Sequence, residues 1–531
     1  MGNGATTNSI EEILDTDLMF VIGSNTTESH PVIATKMRQA KKKGAKLIVA
    51  DPRKIDLAKI ADIHLQLKPG TNIALLNAMM NEIIKNDLHD KKYIEERTEN
   101  FHEFAKHVKN FSVEKVAKVC DLDSQDIRKA ARMYAKAEKA GIYYAMGITQ
   151  HISGSHAVMA LSNLAMLCGN IGKESTGINP LRGQNNVQGS CDMGSLPGDF
   201  PGYQKVYKKE MREKFEKAWG VKLPSKSGLT LQEIIHGGKD GSIKFLYIMG
   251  ENPMLTDPDL NNVKKALEGI EFLVVQDMFL TETAALADVI LPASSFAEKD
   301  GTFTNTERRV QRVRKAIEPI GDSKADWVIL MEIMNRLGMN QKYNHPSEIM
   351  EEIASLTPEY GGITYDRIED VGIQWPCLDK DHPGTKFLHK ENFDRGKALF
   401  VTVDNISSAE LTDINYPFIM TTGRVLYQYH SMTMSGRVEE LNKKVPDSYI
   451  EINTATADRL ELDDKDKVKV TSRRGSVITT VKSTDIIPED ILFMPFHFSD
   501  AAVNYLTNPE VDPIAKIPEL KVASVKVEKV E

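Results

Sequence analysis

The chain has 531 residues, 41% of them hydrophobic and 27% charged, with a net charge of −8. This is the profile of a soluble globular protein with room for three or four domains. It has no long basic run, which argues against a nucleic-acid partner, and no apolar run of the roughly 18 residues a membrane span needs. The first residues lack the basic region and apolar core of a secretory leader, and a cytoplasmic location is expected.

In chain order, the first periodic segment is Asp17-Leu-Met-Phe-Val-Ile-Gly23, a short apolar run ending on glycine. Asn25 follows, then Ser29 as an expected N-cap, then a helical pattern to Lys43, where Lys41-Lys42-Lys43 reads as a cationic helix end. Ala45-Lys-Leu-Ile-Val-Ala-Asp51 completes a βαβ unit, because buried parallel strands read as continuous apolar runs. A helix is expected from Ser124, as N-cap, to Ala140, and a strand at Tyr143–Gly147. The grammar returns at Lys244–Gly250, with Asn252, a helix start at Thr256/Asp257, and Glu271–Asp277. Gly23 to Asp51 is 28 residues and Gly250 to Asp277 is 27, and both first strands are followed by Gly-x-Asn. In open α/β sheets ligands sit beyond the carboxyl ends of strands, where glycine admits a phosphate and a following acid binds a ribose or base edge. The repeat thus predicts two nucleotide-like sites or, alternatively, plain doubly wound architecture. Neither unit carries Gly-x-Gly-x-x-Gly, which argues against an ordinary nicotinamide site.

Between the repeats lies Arg182-Gly-Gln-Asn-Asn-Val-Gln-Gly-Ser-Cys191, with no apolar period, so neither helix nor strand is expected there. One guanidinium and four side-chain amides suit a flat polar ligand, with a fork for a carboxylate; the alternative is a well-packed interdomain loop. Residues 340–410 are rich in Pro and Gly breakers. From about 415 short β-branched runs begin, with Arg473-Arg474-Gly475 as a hairpin turn. The expected architecture is α/β: two intertwined doubly wound domains (1–181 and 182–335), linker and excursions (336–412), and a C-terminal β-barrel (413–531). The four cysteines stand 48, 23 and 186 residues apart, so no metal ligands are read among them, and their scarcity fits a reducing compartment.

These stretches resemble the large subunit of molybdenum- or tungsten-dependent formate dehydrogenases, in the molybdopterin oxidoreductase superfamily. The resemblance runs from Met1 to near Glu531 through Arg182–Gly194, Ala50-Asp-Pro-Arg53, Gly70-Thr-Asn72, Met249–Pro253, Gln276-Asp277, Ala287–Pro292, Thr422-Gly-Arg424 with Tyr429-His430, and Asn504–Pro509. It implies a bis-(molybdopterin guanine dinucleotide) cofactor carrying Mo or W. Gly23, Asn25, Ser29, Asp51, Gly70, Asn72, Met146, Gly147 and Gln150 are expected at one dinucleotide. Gly250, Asn252, Thr256, Gln276, Asp277 and Asp326 are expected at the other. Gln184, Arg424, Tyr429, His430, His497, Asn504 and Lys521 are expected to close over the pterins.

The resemblance further implies that Arg182 is catalytic, its fork holding formate with the C–H bond toward the metal. Cys191 is read as a buried structural thiol. The family also has a cysteine or selenocysteine metal ligand, an adjacent histidine and a [4Fe–4S] segment upstream of a Gly-Asn-Gly-Ala-type stretch, and this sequence opens at Met1-Gly-Asn-Gly-Ala5. A reading frame truncated after an in-frame UGA codon, with GUG as the apparent start, is expected. Formate and CO2 are the implied reactants, with an iron–sulfur or flavin subunit as electron partner. The other readings are a nitrate-reductase-like enzyme and a non-catalytic cofactor-binding paralogue.

Overall fold

The structure, a computed structural model, describes residues 4–530. Two compact units interleave along the chain. Residues 4–183, 255–261 and 387–530 form the first, and Gln184–Met254 with Asn262–Lys386 form the second.

The first unit is built on five parallel strands, in the order Ile63–Leu65, Lys46–Ala50, Leu18–Ile22, Ala140–Tyr144, Gly177–Pro180. Leu18–Ile22 is central, and all five of its residues are buried. Its unbroken apolar run follows from packing on both faces. Leu18, Phe20 and Ile22 join the core under the helices Asn72–Lys85, Ser124–Lys136 and Gly154–Leu167. Met19 and Val21 pack with Ile33 and Met37 of the Pro31–Lys42 helix on the other side. The chain winds outward from the central strand, then crosses back to place Ala140–Tyr144 on its free edge. That reversal opens a crevice at the carboxyl ends of the two strands.

Local signals differ from the expected ones in three places. Ser29 ends a single turn, Thr26–Ser29, and the long helix starts at Pro31, whose fixed φ and missing N–H suit a first helical position. Asp123, not Ser124, caps Ser124–Lys136, its carboxylate accepting from Gln125 N at 2.7 Å. Val187–Asp192 is a short helix entered through left-handed Asn186. It lacks an apolar period because polar side chains, Gln188 and Asp192, face the interior.

The stretch 336–412, expected as linker, carries the helix Pro346–Leu356 and a strand, Ile373–Gln374, that pairs with Arg309–Val313. Phe393, Ala398, Phe400 and Val403 belong to the main core of the first unit. Asn163 and Val401 exchange two hydrogen bonds there, at 2.7 and 3.2 Å. The breakers mark changes of direction, not loss of packing.

At the C-terminus, six strands close into a barrel: Phe418–Gly423, Ile491–Pro495, Tyr449–Ile452, Ser476–Ser483, Lys467–Thr471 and Ala523–Lys529. Lys467–Thr471 and Ser476–Ser483 alternate exposed and buried residues, and the Arg473–Gly475 turn joins them as an antiparallel pair. The barrel is tied to the α/β sheet by a buried ion pair. Arg53 donates Nε and Nη2 to the two oxygens of Glu451 at 2.9 and 3.0 Å, and its guanidinium lies 3.7 Å from the Phe493 ring centroid.

The second unit holds three parallel strands in the order Val289–Pro292, Phe272–Asp277, Phe245–Met249. The matched spacings in the sequence correspond to matched geometry. Gly23 N donates to Ala50 O at 3.0 Å, and Gly250 N to Gln276 O at 2.8 Å. Each accepting residue directly precedes the acid that follows it, Asp51 or Asp277. Both glycines have positive φ, +58° and +61°.

Removing one partner of a buried pair strands the other charge, whereas replacing both with apolar groups does not. Arg53→Ala is therefore expected to lower stability by about 3–5 kcal/mol in denaturant unfolding. Arg53→Met combined with Glu451→Leu recovers most of that loss. A loss under about 1 kcal/mol for Arg53→Ala shows that the pair does not join barrel to sheet.

Candidate active site

The crevice at the strand reversal is floored by two glycines. Gly147 N donates to Gly23 O at 3.0 Å, and a Cβ on either glycine would lie 2.6 Å from the other's backbone. Asn72, at the first turn of its helix, donates Nδ2 to Gly147 O at 3.4 Å, and a His151 ring nitrogen bonds the same carbonyl at 3.1 Å. Gly70, just before that helix, has φ +83° with Ser408 Oγ 2.6 Å from where a Cβ would stand. Asn25 has a buried Oδ1 with no hydrogen-bond partner among the described residues, and Ser29 is half-buried beside it in sequence.

Asp51 lies at the end of the neighbouring strand, its Oδ1 accepting from Arg53 N at 2.9 Å. Burial pushes its carboxyl up to about 6. Arg53, and after it Lys521 brought in by the barrel, oppose that rise; burial pulls the Lys521 ammonium down to about 8, and Asp51 partly opposes that. Lys521 Nζ donates to Thr422 O at 2.7 Å, and Lys521 N to Gln150 O at 3.3 Å. The first expected dinucleotide set therefore falls at one end of one sheet, joined there by the barrel residue Lys521.

Arg182 stands where the last strand of this sheet ends. Its Nη2 donates to Gly4 O at 3.0 Å, and its own carbonyl bonds His30 Nε2 at 2.8 Å. Arg424 Nη1 donates to Gly183 O at 2.8 Å, and its guanidinium lies 5.0 Å from the Tyr429 ring centroid. The Arg424 Nε is buried without a hydrogen-bond partner among the described residues. His497 accepts from Val425 N through Nε2 at 2.9 Å and donates through Nδ1 to His430 O, which fixes its neutral tautomer. Burial holds His30, His430 and His497 each down at about 4, with Arg424 pushing the same way. Two guanidiniums thus supply positive charge beside three neutral imidazoles, a field suited to an anion.

In the second unit Asn252 is buried, donating to Glu282 at 2.8 Å and accepting from Thr283 Oγ1 at 2.7 Å. Gln276 donates to Asp326 at 2.7 Å and accepts from Tyr247 OH, while Asp326 also binds Lys299. Asp277 Oδ1 accepts from Met278 N at 2.6 Å. Gly250 has open space on the side where a Cβ would point. Thr256 ends the turn Pro253–Thr256. Residues 255–261 belong to the first unit, where Leu255 and Leu260 pack on Ala502 and Asn504 donates to Leu255 O at 2.9 Å. Gln184 opens the second unit, directly after Gly183. Cys191 is half-buried, not buried, because it sits on the outer side of a one-and-a-half-turn helix whose Gln188 and Asp192 face inward.

Four features of the structure were not read from the sequence. His30, Glu28 and the Arg53–Glu451 pair line the first crevice, and only Arg53 had a signal, as the end of Ala50-Asp-Pro-Arg53. The fourth is Asp192, fully buried, whose carboxylate accepts from Tyr360 OH, Trp375 Nε1, Gln188 Nε2 and Tyr203 OH at 2.6–2.8 Å. Burial raises its pKa and the four donors offset part of the rise. No group of three His, Cys, Asp or Glu side chains that could hold a metal occurs among the described residues.

Glycine cradles, unpartnered buried polar atoms at Asn25 and Arg424, and the Lys521 ammonium fit an anionic dinucleotide. Comparison with known proteins agrees. The family described as molybdopterin oxidoreductase matches residues 1–336, and the molydopterin dinucleotide binding domain matches residues 418–524. The chain therefore belongs to the molybdopterin oxidoreductases. Within them it groups with formate dehydrogenase alpha subunits. It is 52% identical to the F420-dependent formate dehydrogenase subunit alpha of Methanocaldococcus jannaschii, across all of this chain and 79% of that one. It is 44% identical to formate dehydrogenase H of Escherichia coli, across 99% of this chain and 75% of that one. Among solved structures, acetylene hydratase from Pelobacter acetylenicus shares the fold, with a TM-score of 0.77 at 20% identity over 99% of this chain and 79% of that one.

The histidines carry a pH signature. Each is held below its unfolded value, so the stability it contributes is complete above about pH 6.5 and is lost as pH falls toward 4. Asp51, held above its unfolded value, acts in the opposite sense between pH 3.8 and about 6. The expected outcome is therefore a difference. Replacing His30, His430 and His497 with Gln flattens the fall in melting temperature between pH 6.5 and 4, and an unchanged slope shows that the imidazoles are already charged in the folded protein.

Proposed function

We propose that this chain is the formate-oxidising subunit of a molybdopterin enzyme, converting formate to CO2 with release of one proton and two electrons. The carrying observation is the seat of Arg182. Its guanidinium is turned onto Gly4 O, its carbonyl is fixed by His30, and Arg424 holds the next peptide at Gly183. A guanidinium fork matches the two oxygens of formate, and two such cations bind the anion while the neutral imidazoles add no competing charge. Orientation of the C–H bond and stabilisation of the carboxylate through the reaction are the work of Arg182.

When bound, the bis-(molybdopterin guanine dinucleotide) supplies a Mo or W centre that takes the two electrons. One dinucleotide is assigned to Gly23, Asn25, Ser29, Asp51, Gly70, Asn72, Met146, Gly147 and Gln150. The other is assigned to Gly250, Asn252, Thr256, Gln276, Asp277 and Asp326. Gln184, Arg424, Tyr429, His430, His497, Asn504 and Lys521 are assigned to the pterins. The functional division is then 1–181 and 182–335 for the two dinucleotides, with 336–412 joining them to the barrel of 413–531.

The metal's cysteine or selenocysteine ligand and a [4Fe–4S] cluster are assigned to the part of the relatives that lies outside the match. Electrons leave to an iron–sulfur or flavin subunit. The deazaflavin F420 is the acceptor we assign, on the names of three relatives at 45–52% identity. No disulfide joins the four cysteines, which fits a reducing cytoplasm.

Arg182→Lys keeps the charge and removes the fork. In formate-dependent dye reduction by the assembled, cofactor-loaded enzyme, it is expected to lower kcat/KM roughly 100- to 1000-fold with metal content unchanged. Activity within about threefold of the parent enzyme removes Arg182 from the reaction.

A further inference from the structure

Glu519 is a fully buried carboxylate. Among the described residues the one basic side chain in ion-pair range of it is His151, also buried, whose Nδ1 lies 3.8 Å from Glu519 Oε1. Backbone takes up the carboxylate's two oxygens. Ile152 N donates to Oε1 at 3.3 Å, and Ala409 N donates to Oε2 at 2.9 Å. An ionised carboxylate accepts at both oxygens, whereas a glutamine amide would turn an N–H toward one of these donors. Apolar packing needs no charge here, and a buried one costs free energy, so its purpose is read from its partners.

The His151 ring reaches the floor of the first crevice. Its Nε2 lies 3.1 Å from Gly147 O, and a carbonyl only accepts, so Nε2 carries a proton. Its Nδ1 has no hydrogen-bond partner among the described residues and stands toward Glu519. Gly147 N donates to Gly23 O, the bond that joins the two glycine turns. A free carbonyl at this floor would set a negative dipole end against a phosphate. His151 engages it, with Asn72 Nδ2 at 3.4 Å.

Glu519 belongs to the segment 510–521, which leads into the barrel strand Ala523–Lys529 and is fastened along 150–155. Lys521 N donates to Gln150 O at 3.3 Å. Asp512 accepts from Ser155 N at 2.9 Å and from Ser155 Oγ at 2.7 Å, at the start of the Gly154–Leu167 helix. The segment thus has one anchor on the helix start and another, Glu519, on the His151 ring.

We propose that Glu519 is a positioning residue for the first dinucleotide. It holds the His151 ring so that Nε2 stays on Gly147 O, which keeps that carbonyl from meeting the phosphates. The proposal rests on the assignment of a dinucleotide to the Gly23–Gly147 crevice, and it adds a share for the C-terminal segment in holding that ligand. Coupling of this kind is reciprocal. If the Glu519 contacts tighten the dinucleotide, the dinucleotide tightens the Glu519 contacts.

The test follows the loss of guanine nucleotide from the cofactor-loaded holoenzyme during incubation, counted against polypeptide. Glu519→Gln and His151→Leu are each expected to speed the loss by about tenfold. The double variant loses it no faster than the faster single one, because both changes break one chain of contacts. His151→Gln, whose amide still donates to Gly147 O, stays close to the parent rate. Asp512→Asn loosens the same segment at its other anchor and lowers the melting temperature without speeding the loss. Amide exchange in the unaltered protein gives a readout that needs no variant to fold. Ile152 and Ala409 are expected to exchange about tenfold more slowly in the holoenzyme than in the cofactor-free chain, with Ser155 unchanged. Single variants that leave the loss unchanged, effects that multiply in the double variant, or Asp512→Asn losing nucleotide as fast as Glu519→Gln overturns the proposal. So does exchange at Ile152 and Ala409 that is indifferent to cofactor, or that slows equally at Ser155. A parent protein that binds no guanine nucleotide overturns the dinucleotide assignment itself, so the two failures are told apart.

Discussion

The contact between the Gly23 and Gly147 backbones is the constraint on which the first site depends. It exists because the chain winds outward from Leu18–Ile22 and returns to its other edge, so two strands end side by side with their connections diverging. With no side chain at either position, the turns touch, and Asn72 and His151 converge on the Gly147 carbonyl. Nothing in the apolar core demands two glycines there. The demand comes from the crevice, where a ligand's phosphates can reach backbone that side chains would otherwise cover.

The second level of organisation is electrostatic. The barrel is a self-sufficient core, yet it brings Lys521 next to Asp51, Glu451 to Arg53, and Arg424 and His497 to the end of the Arg182 strand. Burial sets the charge of each group. Imidazoles stay neutral, guanidiniums keep their charge, and the Asp51 and Lys521 pKa values are drawn toward each other. The net result gathers Lys521, Arg424 and Arg182 near the strand ends, a set of cations suited to an anionic cofactor and a small anionic substrate.

Much of this was legible from sequence because it is local. Apolar runs ending in Gly marked both βαβ units, and the spacings of 28 and 27 residues to Asp51 and Asp277 match the repeated glycine-to-carbonyl bond. The barrel was visible in the short β-branched runs from about 415 and the Arg473-Arg474-Gly475 turn. What stayed hidden is what depends on distant pairing. Glu451, between Ile450 and Ile452, reads as an outward-facing strand residue until Arg53 is found beneath it. His30 reads as a helix-leading polar residue, although its ring fixes Arg182. Leu255 and Leu260, inside the second repeat in sequence, pack on Ala502, and Asn504 donates to Leu255 O. The polar run 187–192 hid a helix because its buried side is the Asp192 hydrogen-bond cluster rather than oil.

The central claim is that the duplicated glycine–acid geometry represents two dinucleotide sites serving one redox centre. The direct measurement is the nucleotide released on denaturing the purified, metal-loaded protein, counted against metal and polypeptide. The account predicts two guanine nucleotides and one Mo or W per chain, and loss of one nucleotide, not both, when Gly250 is replaced by a bulky residue. One nucleotide per chain in the unaltered protein, or a base other than guanine, would contradict it.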